Sequence, residues 1–429
     1  MFAAFLVVLF VGFILLGVPI AVSLGFVSFV GIASLPTIPN IVVFQKMFNG
    51  LNSFTLLAVP LFILAANLMN HGAITAKLIE VCVAMVGHIR GGLAHANILI
   101  SMIFAGISGS SQADTAGVGK ILIPAMLDQG YDKETAVGVT AASSTLGSII
   151  PPSILMVVYS GIASCSTGAL FLCGMIPGIM LGLAMMAVVV VDGKKKNFPK
   201  SERVPLKKTM QLVGQSLPAL LTPVILIGGI VTGLFTPTES AAFACLYALL
   251  IGIFFYRTIK PKDLPGIIME TMKQSCLSLF ALAAACALGE LMSYYQLNVL
   301  VQKFFMALPG GYLVFILVTI AFFLFVGTFM DAVPAQILFV PIILPCATSL
   351  GMDPLMLGLI IVITLSLGLT TPPYGLCLLI ASSIADLSVE RSFKGVLPYF
   401  LVALAVLAIL VLFPNVFIAI PKFLFPAVF

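Results

Sequence analysis

Two segments of the chain place hydroxyl side chains, a glycine and a proline pair inside apolar sequence. They are Ser143-Ser144-Thr145-Leu146-Gly147 followed by Pro151-Pro152, and Thr364-Leu365-Ser366-Leu367-Gly368 followed by Pro372-Pro373. A proline removes a backbone donor and frees carbonyls in the preceding turn. Those carbonyls, with the hydroxyls of Ser144, Thr145, Ser366 and Thr370, are hard oxygen ligands suited to a small cation such as Na+. Each segment has a polar companion upstream. The first is Gly106-Ile107-Ser108-Gly109-Ser110-Ser111-Gln112-Ala113-Asp114-Thr115; the second is Gly327-Thr328-Phe329-Met330-Asp331, followed by Pro334. At membrane depth such groups are tolerated only where they are buried in protein or line a wet cavity. Small residues also allow close helix packing, but packing does not account for a carboxylate beside each polar stretch.

A single offset of 221 positions relates the two sets, and without gaps it also pairs Phe104 with Phe325, Gly106 with Gly327, Pro124 with Pro345, Gly130 with Gly351 and Asp132 with Asp353. The repeat is therefore a whole module. Interrupted apolar segments in corresponding positions of two halves point to a transporter whose site lies between two broken helices. Asp114 and Asp331 are not paired by the offset, which sets Asp114 against Ala335 and Asp331 against Ser110, so the two sites are not expected to be identical. No arginine lies in the polar stretches or the breaks, and Lys120 is the only lysine close by. A substrate carboxylate would thus be held by amides, hydroxyls and bound cations rather than by a guanidinium fork. Cation coupling also supplies work: one net positive charge per cycle gains about 2.3 kcal/mol per 100 mV, roughly 40- to 50-fold accumulation.

The elements that must position these residues are membrane helices. Of 429 residues 61% are hydrophobic and 8% charged, and the mean hydropathy is +1.23; a soluble domain would be near ~25% charged. The apolar runs are continuous rather than alternating, which gives helices and not a barrel. The net charge of +5 does not suggest nucleic acid, because the basic residues gather mainly in two inter-helix loops. One loop, 192–209, carries Lys194, Lys195, Lys196, Lys200, Arg203, Lys207 and Lys208; the other carries Arg257, Lys260 and Lys262. Both are expected on the cytoplasmic side.

Apolar runs are expected near 2–34, 54–70, 93–108, 115–128, 135–161, 168–191, 213–235, 240–257, 266–293, 312–328, 334–350, 355–382 and 396–420. The first run contains Gly17-Val18-Pro19 and is either one kinked helix or two short ones. Counting from the basic loops, 93–128 begins and ends inside and 312–350 begins and ends outside, so each is a re-entrant hairpin. Five crossings separate them, and an odd number inverts the second copy. This count requires that Asn298 to Ala307 does not cross. The chain then divides into N-terminal scaffold helices (1–75), a first repeat (76–191) with hairpin 93–128 and broken helix 135–161, a basic linker with a scaffold helix pair (192–265), and a second repeat (266–429) with hairpin 312–350, broken helix 355–382 and a C-terminal helix.

Other residues invite blander readings. No basic residue precedes Lys46, so the first helix lacks the charged start of a cleavable signal and is expected to be retained. The eight cysteines are scattered without CxxC spacing and read as packing residues. His71, His88 and His95 sit in no repeated position and read as loop or helix-end residues. Glu239 follows Pro237-Thr238 as a helix cap. Glu290 and Asp386, late in apolar helices, are left unassigned. Gly106-Ile107-Ser108-Gly109 matches the GxSG of rhomboid-type intramembrane proteases, which would make Ser108 a nucleophile of a serine hydrolase. That serine needs a base, and all three histidines precede it, whereas in that family the histidine follows.

The run Ser108 to Thr115, the Ile149-Ile150-Pro151-Pro152-Ser153 break, the turn Gly233-Leu234-Phe235-Thr236-Pro237-Thr238-Glu239 and the Thr371-Pro372-Pro373-Tyr374-Gly375 break together resemble the large membrane subunit of the TRAP (tripartite ATP-independent periplasmic) transporters. The resemblance extends over essentially the whole chain. It implies an all-α polytopic protein of the bacterial inner membrane with inverted repeats, two re-entrant hairpins and two discontinuous helices. It further implies an elevator movement that imports an organic acid, of the sialic acid or C4-dicarboxylate class, with Na+. The implied partners are a small four-helix membrane subunit and a soluble periplasmic binding protein. Carried over by position, Ser108, Ser144, Thr145 and Gly147 would serve a first Na+ site, and Gly327, Thr328, Asp331, Ser366, Gly368 and Thr370 a second. Ser108, Ser110, Ser111, Asp114, Ser153 and Thr371 would face the anionic substrate. A self-sufficient Na+/dicarboxylate carrier is the nearest alternative.

Overall fold

The computed structural model describes residues 2–424 except 73, 202 and, between 297 and 310, all but Val299, Lys303 and Phe305. The described secondary structure is helical throughout. Seven of its helices are long and apolar enough to cross a membrane, or up to eight if one bent pair counts as a span. A chain without water around it satisfies its backbone groups most simply within each helix, and breaks fall where the sequence denies that option.

The first apolar run is two helices, α1 (Phe2–Leu15) and α2 (Ile20–Ala33). Gly17 takes φ +78 and Pro19 stands at the start of α2, so a positive-φ residue and a missing donor sever the run. Two helices fall outside the expected runs: α3 (Ile41–Leu51) and α5 (Ile74–Val86). Their charges masked them. Lys46 of α3 pairs with Glu290 at 2.9 Å, and Lys77 with Glu80 within α5 at 3.0 Å, which neutralises residues that depress hydropathy. Between them, α4 (Ala58–His71) meets α5 at 69°.

The repeated module follows as α6 (Gly92–Ser108), α7 (Ser111–Asp128), α8 (Lys133–Ser144), a four-residue turn α9 (Leu146–Ile149), α10 (Ile154–Ala163) and α11 (Thr167–Lys195). Helix α11 runs into the basic segment and takes Lys194 and Lys195 in its last turn, where cations suit the negative end of the dipole. Helices α12 (Leu206–Val231), α13 (Pro237–Leu250) and α14 (Leu264–Tyr294) lead to the second copy. The segment 298–307, whose failure to cross the sequence count requires, lies outside the described residues apart from Val299, Lys303 and Phe305.

The second copy is α15 (Gly311–Gly327), α16 (Ala332–Ser349), α17 (Pro354–Gly368), α18 (Leu376–Ala385) and α19 (Val389–Leu412). Both ends of α7 and α16 differ by the sequence offset. Asp132 and Asp353 each cap the following helix by accepting from its backbone, and Gly130 and Gly351 both take positive φ. Both proline pairs are joined by cis bonds. The final expected run is split before Pro414, which cannot donate into the ladder, so α20 (Pro414–Leu424) stands apart from α19.

Packing interlocks the copies: α10 of the first lies against α16 of the second, while α18 of the second lies against α7 and α8 of the first. Gly138 and Gly395 bring the backbones of α8 and α19 into contact, since a Cβ on either would collide with the other helix. Helix α14 runs along α2, α3 and α4, and α12 along α5 and α13, forming a second body that borders the repeats. A separate small apolar cluster of Leu6, Val27, Ile32, Val43, Ala287 and Leu291 ties the N-terminal helices to α14.

Candidate functional site

The tip of the first helix pair is the loop between α6 and α7. Gly109 adopts φ +62 and Ser110 caps α7 by accepting from the Ala113 amide. A backbone bond from Ile154 N to Gly109 O, 3.1 Å, docks this tip on the first proline break. The second tip is docked the same way by Tyr374 N to Thr328 O, 3.2 Å, and its cap is Asp331, the residue that the repeat sets against Ser110. The module is thus built alike twice, with a hydroxyl at one cap and a carboxylate at the other.

Around the first break, the Asp114 carboxylate is fully buried. Ser108 Oγ donates to its Oδ1, whereas Oδ2 has no hydrogen-bond partner. That second oxygen faces Gly147, where an added Cβ would lie 2.5 Å away. Thr115 Oγ1 donates to Ser144 Oγ at 2.6 Å, and Ser144 sits over the Ala141 carbonyl at 2.9 Å. Thr145 donates to Ala142 O at 2.7 Å. A hydroxyl whose hydrogen is committed to a helix carbonyl keeps its lone pairs for another partner. Buried and half-satisfied, Asp114 beside such oxygens is a donor set that fits a small hard cation.

Around the second break, Gly327 and Gly368 cross in contact: a Cβ on Gly368 would meet Gly327 Cα at 2.7 Å. The hydroxyls of Thr328, Ser366 and Thr370 donate to Phe325 O, Val362 O and Leu367 O at 2.7, 2.7 and 2.8 Å. The Asp331 carboxylate, in contrast to Asp114, stands at the helix cap. Its Oδ1 accepts from Ala332 N at 2.7 Å and from Gln112 Nε2, on the opposite tip, at 2.9 Å.

A cavity of about 390 Å³ opens where the two tips meet α4 and α14. Ser108, Ser110 and Ser111 line it, as does Asp331, which the sequence reading assigned to an ion. Asp114 lies behind the lining. Ser153 and Thr371 are not among the lining residues: Ser153 Oγ caps α10 and donates to Ser148 O at 2.6 Å, and Thr371 Oγ1 donates to Gly368 O at 2.8 Å, so both close off the breaks. Sequence reasoning passed over Asn67, Ser148, Gln274 and Ser278, and named Gln112 only as part of the polar stretch; all five line the cavity. Asn67 carried a signal, being an amide within an apolar run; it donates to Thr271 at 3.0 Å and Gln274 at 3.2 Å.

Three of the residues given blander readings have clear partners. His71 meets Glu270 at 3.2 Å, His95 bonds Gly91 O at 3.0 Å, and Glu239 completes a capping box with Thr236. Ser108 is paired with a carboxylate, not an imidazole.

Fold and site together define a polytopic helical membrane protein in which two interrupted helical repeats border a cavity of mixed polar and apolar lining. A family model described as the tripartite ATP-independent periplasmic transporter, DctM component, matches residues 6–416. The sialic acid TRAP transporter large permease SiaM of Vibrio cholerae is 34% identical over 411 residues, covering 96% of each chain. The C4-dicarboxylate large permease DctM of Pseudomonas aeruginosa is 36% identical over 379 residues, 88% of this chain and 89% of that one. The solved YdaH transporter of Alcanivorax borkumensis shares the fold, with a TM-score of 0.63 over 87% of this chain and 88% of that one at 14% identity. The chain belongs to the DctM large-permease family of TRAP transporters, and it is a transporter rather than an enzyme.

Proposed function

We propose that this permease imports an organic acid across the bacterial inner membrane, driven by Na+, and that it does so with a small four-helix membrane subunit and a soluble periplasmic binding protein. The observation that carries the reading is the Asp114 carboxylate, wholly buried in an apolar bundle with Oδ2 lacking a partner. An ionised group buried there calls for a counter-charge, and among the described residues no lysine or arginine pairs with it; Na+ held by Asp114, Ser108, Ser144 and the turn at Gly147 would provide one. The second ion falls to Thr328, Asp331, Ser366, Thr370 and the Gly327–Gly368 crossing. Substrate occupies the cavity between the tips, its oxygens met by Ser110, Ser111 and Gln112.

Five of the helices long enough to span lie between the two helix pairs, from Lys133–Ala163 to Pro261–Tyr294. With five crossings the second copy is inverted, and each helix pair is re-entrant. The repeats then move together as an elevator past the body formed by α4, α12, α13 and α14, carrying the cavity from one face to the other. Sialic acid and a C4-dicarboxylate are the candidate substrates, since the named relatives are a sialic acid and a C4-dicarboxylate permease.

The test is uptake into proteoliposomes of the permease with its small subunit, offering sialic acid and succinate with and without binding protein and an inward Na+ gradient. Uptake that requires both supports the tripartite reading and identifies the substrate. Full uptake without binding protein makes the chain a self-sufficient carrier.

A further inference from the structure

The hydrogen bond between Gln112 and Asp331 joins the two tips across the cavity that both residues line. Its polarity is fixed by chemistry: an ionised carboxylate can only accept, so Gln112 must offer its amide nitrogen. Among the described residues lining the cavity Asp331 is the one that is charged, and it carries the sign of the acid that enters. An incoming carboxylate that took the second hydrogen of the Gln112 amide would sit beside the Asp331 charge, where the two repel at short range.

We propose that Gln112 is a substrate-positioning residue whose donor is withheld by Asp331 until a cation takes its place, so that cation binding precedes and enables capture of the substrate carboxylate. The inference rests on the Na+-coupled reading above and adds an order of events to it. A cation on Asp331 cancels the repelling charge and competes directly with the amide. Once displaced, the amide turns its two hydrogens to the substrate. The same arrangement disfavours substrate binding to a cation-free protein, which protects the gradient from uncoupled movement.

The order has a signature that a purely structural role lacks, because removing the amide pushes the two ligands in opposite directions. Gln112→Ala and the size-conserving Gln112→Leu are compared with wild type in two measurements on the permease with its small subunit. The first is the NaCl concentration giving half-maximal thermal stabilisation, with choline chloride holding ionic strength constant. The second is the KM for uptake of whichever of sialic acid and succinate the wild type carries. Half-saturating Na+ should fall several-fold, since the cation no longer competes with the amide, while substrate KM should rise about tenfold with the loss of a hydrogen bond to a charged group. If KM rises and Na+ half-saturation stays put, Gln112 is an ordinary substrate contact and the withheld donor is overturned. Both values rising together, or neither moving, also overturns it. If neither acid is carried, the Na+ measurement decides alone. A wild-type protein that shows no Na+ response removes the coupled reading itself and this inference with it.

Discussion

A methyl group on Gly147 would lie 2.5 Å from Asp114 Oδ2 and 3.2 Å from the carbonyl carbon of Ser110. Both neighbours are held, the carboxylate by Ser108 and the carbonyl by the capped start of α7. We therefore expect Gly147→Ala to raise the half-saturating Na+ concentration for uptake at least about tenfold, with the substrate KM at saturating Na+ affected far less, as read from Na+ titrations of transport; an unchanged titration would remove Asp114 from the ion site. Asp331→Ala and Ser144→Ala should abolish Na+-dependent uptake in intact membranes, and full activity in both variants would leave no reason to place ions at the breaks. The types of these residues were legible as ligands because hydroxyls and carboxylates stand out in apolar sequence. Their division of labour was not: the sequence put both aspartates beside a tip, yet Asp114 points to a buried glycine and Asp331 to the cavity.

Helix boundaries show which local rules survive tertiary packing. The Ser110 and Asp331 caps, the Asp132 and Asp353 caps and the glycines at 130 and 351 recur at equivalent places because a helix start needs an acceptor and a left-handed turn favours glycine. Contact between elements is less forgiving. Gly368→Ala would push a Cβ to 2.7 Å from Gly327 Cα, backbone that cannot yield like the end of a side chain. We expect a loss of about 1–3 kcal/mol from such overpacking, seen as a lower unfolding temperature in detergent, whereas Gly130→Ala meets no atom within 4 Å and should suffer only from its positive φ. At the start of α8, burial opposes the charge of Asp132, but hydrogen bonds from Thr135 and Lys196 and the field of the lysine hold its carboxyl below the usual range. A depressed value means that the folded state binds fewer protons, so this contribution is present above about pH 4 and lost as pH falls through the folded value. Asp132→Ala should cost about 1 kcal/mol at neutral pH, and the difference from wild type should shrink in acid-side thermal melts. Helices α3 and α5 escaped the hydropathy reading for a related reason, as ion pairs neutralise charges that a sequence window counts as polar.

The whole molecule supplies the cavity, which no single repeat contains. Its walls come from both tips and from α4 and α14, so residues as distant as Asn67, Gln112, Gln274 and Asp331 share one space. Transport by the complete assembly is accordingly expected to need the binding protein and an inward Na+ gradient together, with dissipation of the gradient by an ionophore reducing accumulation to the passive level in proteoliposomes; accumulation that survives would place the driving force elsewhere. The sequence by itself determined that this is a helical membrane protein, that one module occurs twice, where its helices break and which family it resembles. Those properties follow from hydropathy, proline and glycine chemistry and spacing, all of which act along the chain. Only the tertiary structure decided that α10 and α18 cross into the opposite repeat, that Ser153 and Thr371 close the breaks rather than line the cavity, and that Gln112 holds Asp331. Side-chain partners are chosen by approach in space, and residues 219 positions apart meet there without leaving any mark on the local pattern.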